Sequence, residues 1–283
     1  RKVEIADVID DAIDHVLTSD NLIKFGVAAM DDVASGGTRG EITAVGGRPG
    51  HGKTTIVTNI VHNVTAPSRK LKVMVFNREM RNAALIEKLV VINQHFRAKE
   101  MRKKQFTEKD ILKLEDIRES MKPRYKNLIM YDDIRDLDET MREIKRHKPD
   151  VIIDDYIQLI TVAGVSERRF QIETIMNEYK WIAKSIDCHV ILVSQLSRGI
   201  ESRVDPIPKG SDFAEGGTIE QVSEACMFVY RPFLFDHESA SKYEANIIAT
   251  KVRYGDPATY DVGFNGDKCM FYKTAIEAEA QDG

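Results

Sequence analysis

The sequence predicts an α/β protein: a mostly parallel central sheet with helices on both faces and antiparallel strands added at one edge. Three observations carry this expectation. From residue 40 onward, short Val- and Ile-rich runs alternate with stretches of helical periodicity. Runs that are apolar on both faces and separated by helices read as buried parallel strands. A glycine-rich break, Gly46-Gly47-Arg48-Pro49-Gly50-His51-Gly52-Lys53-Thr54-Thr55, then ends one such run and opens a helix. Finally, the C-terminal third holds more strand pattern and less helix.

Taken in order, residues 3–18 place Ile5, Ile9, Ile13 and Leu17 on one stripe, opposite Asp7, Asp10, Asp11 and Asp14. That is an amphipathic helix. The polar, glycine-containing stretch after it makes the helix look separable from the core, so residues 1–22 form a linker that docks on a neighbouring chain or folds back on its own domain. The strands expected next are Ile42–Val45, Leu71–Phe76, Leu128–Tyr131, Val151–Ile153, Val190–Val193, Ala225–Tyr230 and Ala245–Ala249. Helices are expected near 54–65, 80–95, 108–121, 136–147 and 167–186. Residues 97–126 carry eleven Lys or Arg against six Asp or Glu. Because the acids are interleaved, a solvated helical hairpin is preferred over a basic arm for nucleic acid. The main domain is expected over 23–275, with 276–283 as a tail.

A length of 283 residues suits one large α/β core or two small domains. With 42% hydrophobic and 30% charged residues, the composition is that of a soluble globular chain. No run reaches the roughly eighteen apolar residues of a membrane span. The acidic first segment is no signal peptide, and a start at Arg1 suggests a fragment with an upstream domain missing. Cys188, Cys226 and Cys269 lack metal-ligand spacing and read as buried thiols in a reducing compartment. A net charge of −4 gives no whole-molecule attraction to nucleic acid.

Gly47 to Thr54 fits G-x-x-x-x-G-K-[ST]. Such a loop presents backbone N–H groups at a helix N-terminus to a polyphosphate, and glycines allow the close approach. Gly47, Arg48, Pro49, Gly50, His51, Gly52, Lys53, Thr54 and Thr55 would line the phosphates, with Lys53 bridging the β- and γ-phosphates and Thr54 ligating Mg²⁺. Three further strand ends carry polar groups. Asp154 and Asp155 follow Val151–Ile153, where a carboxylate would hold the magnesium through water. Glu79 follows Val73–Phe76, within reach for a base acting on the attacking water. Gln195 ends Val190–Val193 as a neutral amide able to sense a γ-phosphate. Open α/β sheets bind ligands at such carboxyl ends.

The segments "GRPGHGKTT", "FNREM", "DDYIQL", "SQLSRGIESR", "SDFAEGGTIEQ" and "KVRYG", in this order, resemble the C-terminal motor domain of the DnaB-family replicative DNA helicases. The resemblance runs from about Ile23 to about Phe271. It implies a RecA-like P-loop NTPase fold, homo-hexamers around single-stranded DNA, ATP and Mg²⁺ at subunit interfaces, 5′→3′ translocation, and primase and loader partners in a bacterial or phage-infected host cytoplasm. Carried over position by position, Glu79 is the catalytic base, Asp155 before Tyr156 is the Walker B aspartate and ligates Mg²⁺ with Thr54, and Gln195 is the γ-phosphate sensor. Lys251 and Arg253 match the Lys-x-Arg that enters the neighbour's site, Arg253 as the finger. Arg198, Arg203 and Lys209, with backbone groups of Glu215, Gly216 and Gly217, would contact DNA. Ala214 stands where an arginine is common, and "NREM" replaces Ser-Leu-Glu-Met, as in a divergent or viral member. By this resemblance the first helix packs on the adjacent subunit. A RecA-type strand-exchange ATPase and a nucleotide-gated scaffold or loader are the alternatives.

Overall fold

The structure is a computed structural model that describes residues 22–282 apart from 95, 204, 215 and 216, together with Ile5, Ile9 and Ile13; the side chains of Gln94, Arg198 and Glu201 are also outside it. The strands are β1 (Leu22–Ile23), β2 (Gly37–Thr38), β3 (Ile42–Gly47), β4 (Val73–Asn77), β5 (Leu128–Tyr131), β6 (Val151–Asp155), β7 (His189–Gln195), β8 (Ala225–Tyr230), β9 (Glu244–Val252), β10 (Ala258–Asn265) and β11 (Met270–Tyr272). The helices are α1 (Ala28–Ala34), α2 (Lys53–Val64), α3 (Asn82–Gln94), α4 (Ala98–Lys103), α5 (Glu108–Arg124), α6 (Leu137–His147), α7 (Arg168–Ile186), α8 (Thr218–Val222) and α9 (Ala275–Glu279).

Among the described residues, nine strands form one sheet in the order β11-β10-β9-β8-β3-β7-β6-β4-β5. From β8 to β5 every neighbouring pair is parallel, and β9, β10 and β11 extend the β8 edge antiparallel. The expected parallel core with an antiparallel edge is therefore what the chain builds. β1 and β2 pair separately as a short ribbon.

Alternation along each strand divides the core in two. Val73 and Val75 of β4 face Ile56, Ile60, Leu89 and Ile117 from α2, α3 and α5. Met74 and Phe76 of the same strand face Met141, Ile175 and Tyr179 from α6 and α7. Successive strand residues point to opposite faces, which is why the buried strands read as unbroken apolar runs. Complete burial of each such side chain is worth about 1.5–3 kcal/mol.

The charged stretch at 97–126 is two helices, α4 and α5. Thr107 caps α5 by accepting from the Asp110 N–H at 3.3 Å, and only Ile117 and Met121 of α5 are buried. The segment expected as a tail is helical in α9. Ala278 is fully buried there, and the Asn265 amide donates to the Ala278 carbonyl at 3.0 Å and to Asp282 at 2.9 Å. The expected linker, residues 1–22, lies almost wholly outside the described residues; Ile5, Ile9 and Ile13 are helical and exposed.

Candidate functional site: a phosphate pocket and a distant arginine

The loop between β3 and α2 is built by conformations that side chains oppose. Gly50 and Gly52 have φ of 81° and 101°. A Cβ on Gly52 would also sit 3.1 Å from the Phe264 ring and 3.2 Å from Phe271. Glycine is the residue that adopts this region without penalty. His51, between them, is buried, and its Nδ1 accepts the Arg231 N–H at 3.1 Å. Its ring packs 5.6 Å from those of Tyr230 and Phe235. Burial pushes its pKa down to about 4, with Lys53, Arg231 and Arg48 adding to the shift, so the ring is neutral.

α2 starts at Lys53, so its N-terminal N–H groups open toward a pocket of about 280 Å³. Pro49, Gly50, Gly52, Lys53, Thr54, Thr55, Glu79 and Gln195 line it together with Phe264. Glu79 after β4 and Gln195 at the end of β7 thus reach the loop, while Asp155 of β6 stands outside the lining and meets it through its charge interaction with Lys53. Lys53 is buried and donates to the Gly47 carbonyl at 2.6 Å and the Arg48 carbonyl at 3.1 Å. Burial lowers its pKa, while Asp155 and Glu79 oppose that shift.

The two aspartates of β6 have different surroundings. Asp154 is paired with Arg78, Nε to Oδ1 and Nη2 to Oδ2 both at 2.7 Å, with neither side chain exposed. It also accepts the Tyr179 hydroxyl. Asp155 is buried, and its Oδ1 has no hydrogen-bond partner among the described residues. Burial first, then the Glu79 charge, pushes the Asp155 carboxyl up to about 7. A buried carboxylate oxygen without a donor, charge-coupled to Lys53 at the helix start and to Glu79, fits a divalent cation, which would supply the missing positive charge. On the next strand, the Gln195 N–H donates to the Gln158 side chain at 3.2 Å.

Lys251 and Arg253 do not join this pocket. β9 runs antiparallel to β8, which is parallel to β3. Arg253 therefore emerges at the amino end of β3, about 16 Å or more of strand from the phosphate loop. Lys251 Nζ donates to the carbonyls of Glu220 and Gln221 at 2.6 and 3.1 Å, closing the end of α8.

Of the expected DNA contacts, Arg203 pairs with Asp212, whose Oδ2 also accepts the Lys209 N–H at 2.7 Å. Lys209 and Gly217 are exposed. The loops pack directly on the end of β7, where the Ala214 N–H donates to the Gln195 carbonyl at 3.1 Å. Glu215, Gly216 and the Arg198 side chain lie outside the described residues. Two residues had no sequence signal: Phe264, which lines the pocket, and Arg231, whose guanidinium lies 4.1 Å from the Phe264 ring centre. They arrive from β10 and the end of β8 through sheet pairing alone.

A parallel sheet with a phosphate loop at its centre, acids and an amide at neighbouring strand ends, and an antiparallel edge defines a RecA-like P-loop NTPase domain. Residues 23–273 match the DnaB-like helicase C-terminal domain, and the chain belongs to that family. It is 32% identical over 250 residues to the replicative DNA helicase DnaC of Bacillus subtilis (strain 168), covering 86% of this chain and 54% of that protein. It is 30% identical over 251 residues to the replicative DNA helicase DnaB of Geobacillus stearothermophilus, with the same two shares, 86% and 54%. The chain thus spans about half the length of these curated relatives. Among solved structures, the ATPase domain of G40P superposes with a TM-score of 0.84 at 26% identity, covering 96% of this chain and 99% of that one. A DnaB-like replicative helicase, solved in a study of its interactions with primase, gives 0.82 at 26%, covering 95% and 68%.

Proposed function

We propose that this chain is the motor domain of an ATP-driven hexameric helicase that moves 5′→3′ on single-stranded DNA and unwinds duplex at a replication fork. The observation that carries the reading is spatial. Lys53, Thr54, Glu79 and Gln195 surround one pocket, with Asp155 charge-coupled to Lys53 and Glu79, while Arg253 stands at the opposite end of the sheet. An arginine so placed serves a phosphate only in a neighbouring copy, which makes hydrolysis depend on assembly.

In the proposed cycle, the loop N–H groups and Lys53 hold the β- and γ-phosphates, and Glu79 accepts a proton from the attacking water. Thr54 and Asp155 would hold magnesium, which when bound would supply charge neutralisation at the phosphates. Gln195 reports the γ-phosphate to the loops at 198–217 through its bond to Ala214. Those loops grip the DNA backbone, with Arg203 and Lys209 nearest and Gly217 offering its N–H. A primase and a loader are the expected partners, in the cytoplasm.

The test compares wild type with Lys53→Ala on forks carrying a 5′ or a 3′ single-stranded tail. Wild type is expected to unwind only the 5′-tailed fork, and Lys53→Ala to lose ATP turnover by at least about 10²-fold. Normal turnover in Lys53→Ala, or equal unwinding of both forks, overturns the reading.

A further inference from the structure

Arg253 is held from behind by one carboxylate. Its backbone N–H donates to the Glu224 carbonyl at 2.9 Å, and its Nη1 to Glu224 Oε1 at 3.1 Å. The Glu224 side chain is 8% exposed and that of Arg253 is 55% exposed, an anchored root with an open tip. Glu224 is itself fixed on every side. Its Oε2 accepts the Ile42 N–H at 2.9 Å, and its own N–H donates to the Ile42 carbonyl at 2.9 Å. Its Oε1 also accepts Lys180 Nζ at 2.6 Å, and Lys180 reaches back to the Gly40 carbonyl at 3.2 Å. One carboxylate thus ties together the first residue of β3, helix α7 and the arm that carries Arg253.

The surroundings keep this carboxylate available to the arginine. A cavity of about 240 Å³ adjoins it, lined in part by Glu41, His189, Glu224 and Arg253. The neighbouring Glu41 carboxyl is pushed up by burial and by the Glu224 charge, which weakens it as a rival partner. Burial drives His189 down to about 4, so its ring is neutral and does not compete for Glu224. Lys180 already neutralises Glu224, so the buried charge does not need Arg253 as a counter-ion. A half-exposed ion pair of this kind adds little to stability, roughly 0–1 kcal/mol. Its effect is on the arginine, a side chain with much rotamer freedom to lose.

We propose that Glu224 is the positioning residue for Arg253: it orders the guanidinium at the subunit surface in the direction of a neighbouring phosphate site. The proposal rests on the reading of Arg253 as an arginine acting in trans. An arginine already ordered loses less freedom on reaching the transferring phosphoryl group, so the gain appears in the chemical step rather than in nucleotide binding.

The experiment is single-turnover ATP cleavage in the assembled protein. Each preparation is measured alone and after dilution into an excess of Lys53→Ala subunits, with wild type diluted in the same way as the reference. Glu224→Gln alone is expected to cleave at least about tenfold more slowly, with affinity for a non-hydrolysable ATP analogue within about twofold of wild type. Diluted, its intact phosphate loops face Lys53→Ala neighbours whose Glu224 and Arg253 are intact, so its cleavage should match diluted wild type. A variant that was merely misfolded would not recover. Should Glu224→Gln fail to assemble, Glu224→Asp, which keeps the charge but withdraws it by one methylene, is read in the same mixture. Arg253→Ala, run in parallel, separates the two ideas. If Arg253→Ala recovers on dilution while the Glu224 variant cleaves at the wild-type rate alone, or stays slow when diluted, the positioning role is wrong and the trans arginine stands. If Arg253→Ala does not recover, the shared seam falls and the positioning role with it.

Discussion

Asp155 holds a buried oxygen that no described donor satisfies, and its carboxyl titrates at about 7 instead of the ordinary 3.8. The sign of the consequence follows from linkage. Between 3.8 and about 7 the folded state binds the proton that the unfolded chain has released, so folding stability falls as pH rises through this window. Above it the ionised group is a standing cost. Asp155→Asn is therefore expected to raise the melting temperature at pH 8 by at least about 2 °C. The same substitution should abolish magnesium-dependent tightening of nucleotide binding. In the wild type, that tightening should weaken as pH drops below about 7, because the cation must displace a proton. Calorimetry with and without magnesium reads both effects. A less stable Asp155→Asn would mean that the ionised carboxyl is not a standing cost, and one that keeps its magnesium dependence would show that the orphaned oxygen is not a cation ligand.

The elements are joined at the site by a contact no local pattern announces. Arg78 immediately follows β4 and Asp154 lies in β6; their fully buried pair is completed by the Tyr179 hydroxyl from α7 and by the Ile134 carbonyl, 2.7 Å from Arg78 Nη1. The pair ties the strand that delivers Glu79 to the strand that delivers Asp155. Arg78 also accounts for one departure noted in the sequence, since it stands where the resembling family has a leucine. Arg78→Leu alone strands a buried carboxylate and should cost about 3–5 kcal/mol, whereas Arg78→Leu with Asp154→Ile should recover most of it. Urea unfolding of the three proteins decides; a double variant no better than the single would mean that the buried charges are not coupled. This pair also marks what was legible. β3 to β9 and α2, α3, α5, α6 and α7 could be read because burial on both faces and helical periodicity are properties of consecutive residues. The phosphate loop was readable for the same reason. The partners Arg78 and Asp154 lie 76 residues apart, and Glu224 finds Ile42 across 182, so neither contact leaves a local signature. The two-residue strands β1 and β2 are too short for any period to show.

At the scale of the whole molecule, Arg253 and the phosphate loop occupy opposite ends of one sheet, so on the proposed reading a single copy would hold two halves of different seams. An assembly that depends on such seams needs adhesion away from the chemistry, and we propose that the helix expected over residues 3–18 supplies it. Ile5, Ile9 and Ile13, four residues apart on helical backbone, are 80%, 57% and 55% exposed, a stripe with nothing apolar to cover it in its own chain among the described residues. Covering one isoleucine is worth about 1.5–3 kcal/mol, and every 1.4 kcal/mol is about tenfold in affinity. Even after the cost of ordering the helix, replacing all three by Asp should weaken assembly at least about hundredfold. Sedimentation velocity across a concentration series should then show smaller species, and the unfolding midpoint measured at dilutions where wild type is also dissociated should be unchanged, because the core of the domain holds none of the three residues. ATP turnover should fall in proportion to the lost assemblies and return at high protein concentration, since each phosphate loop remains intact and lacks only a neighbour. Unchanged sedimentation would place the stripe against its own domain, and unchanged turnover in dissociated protein would mean that Arg253 is not needed across a seam.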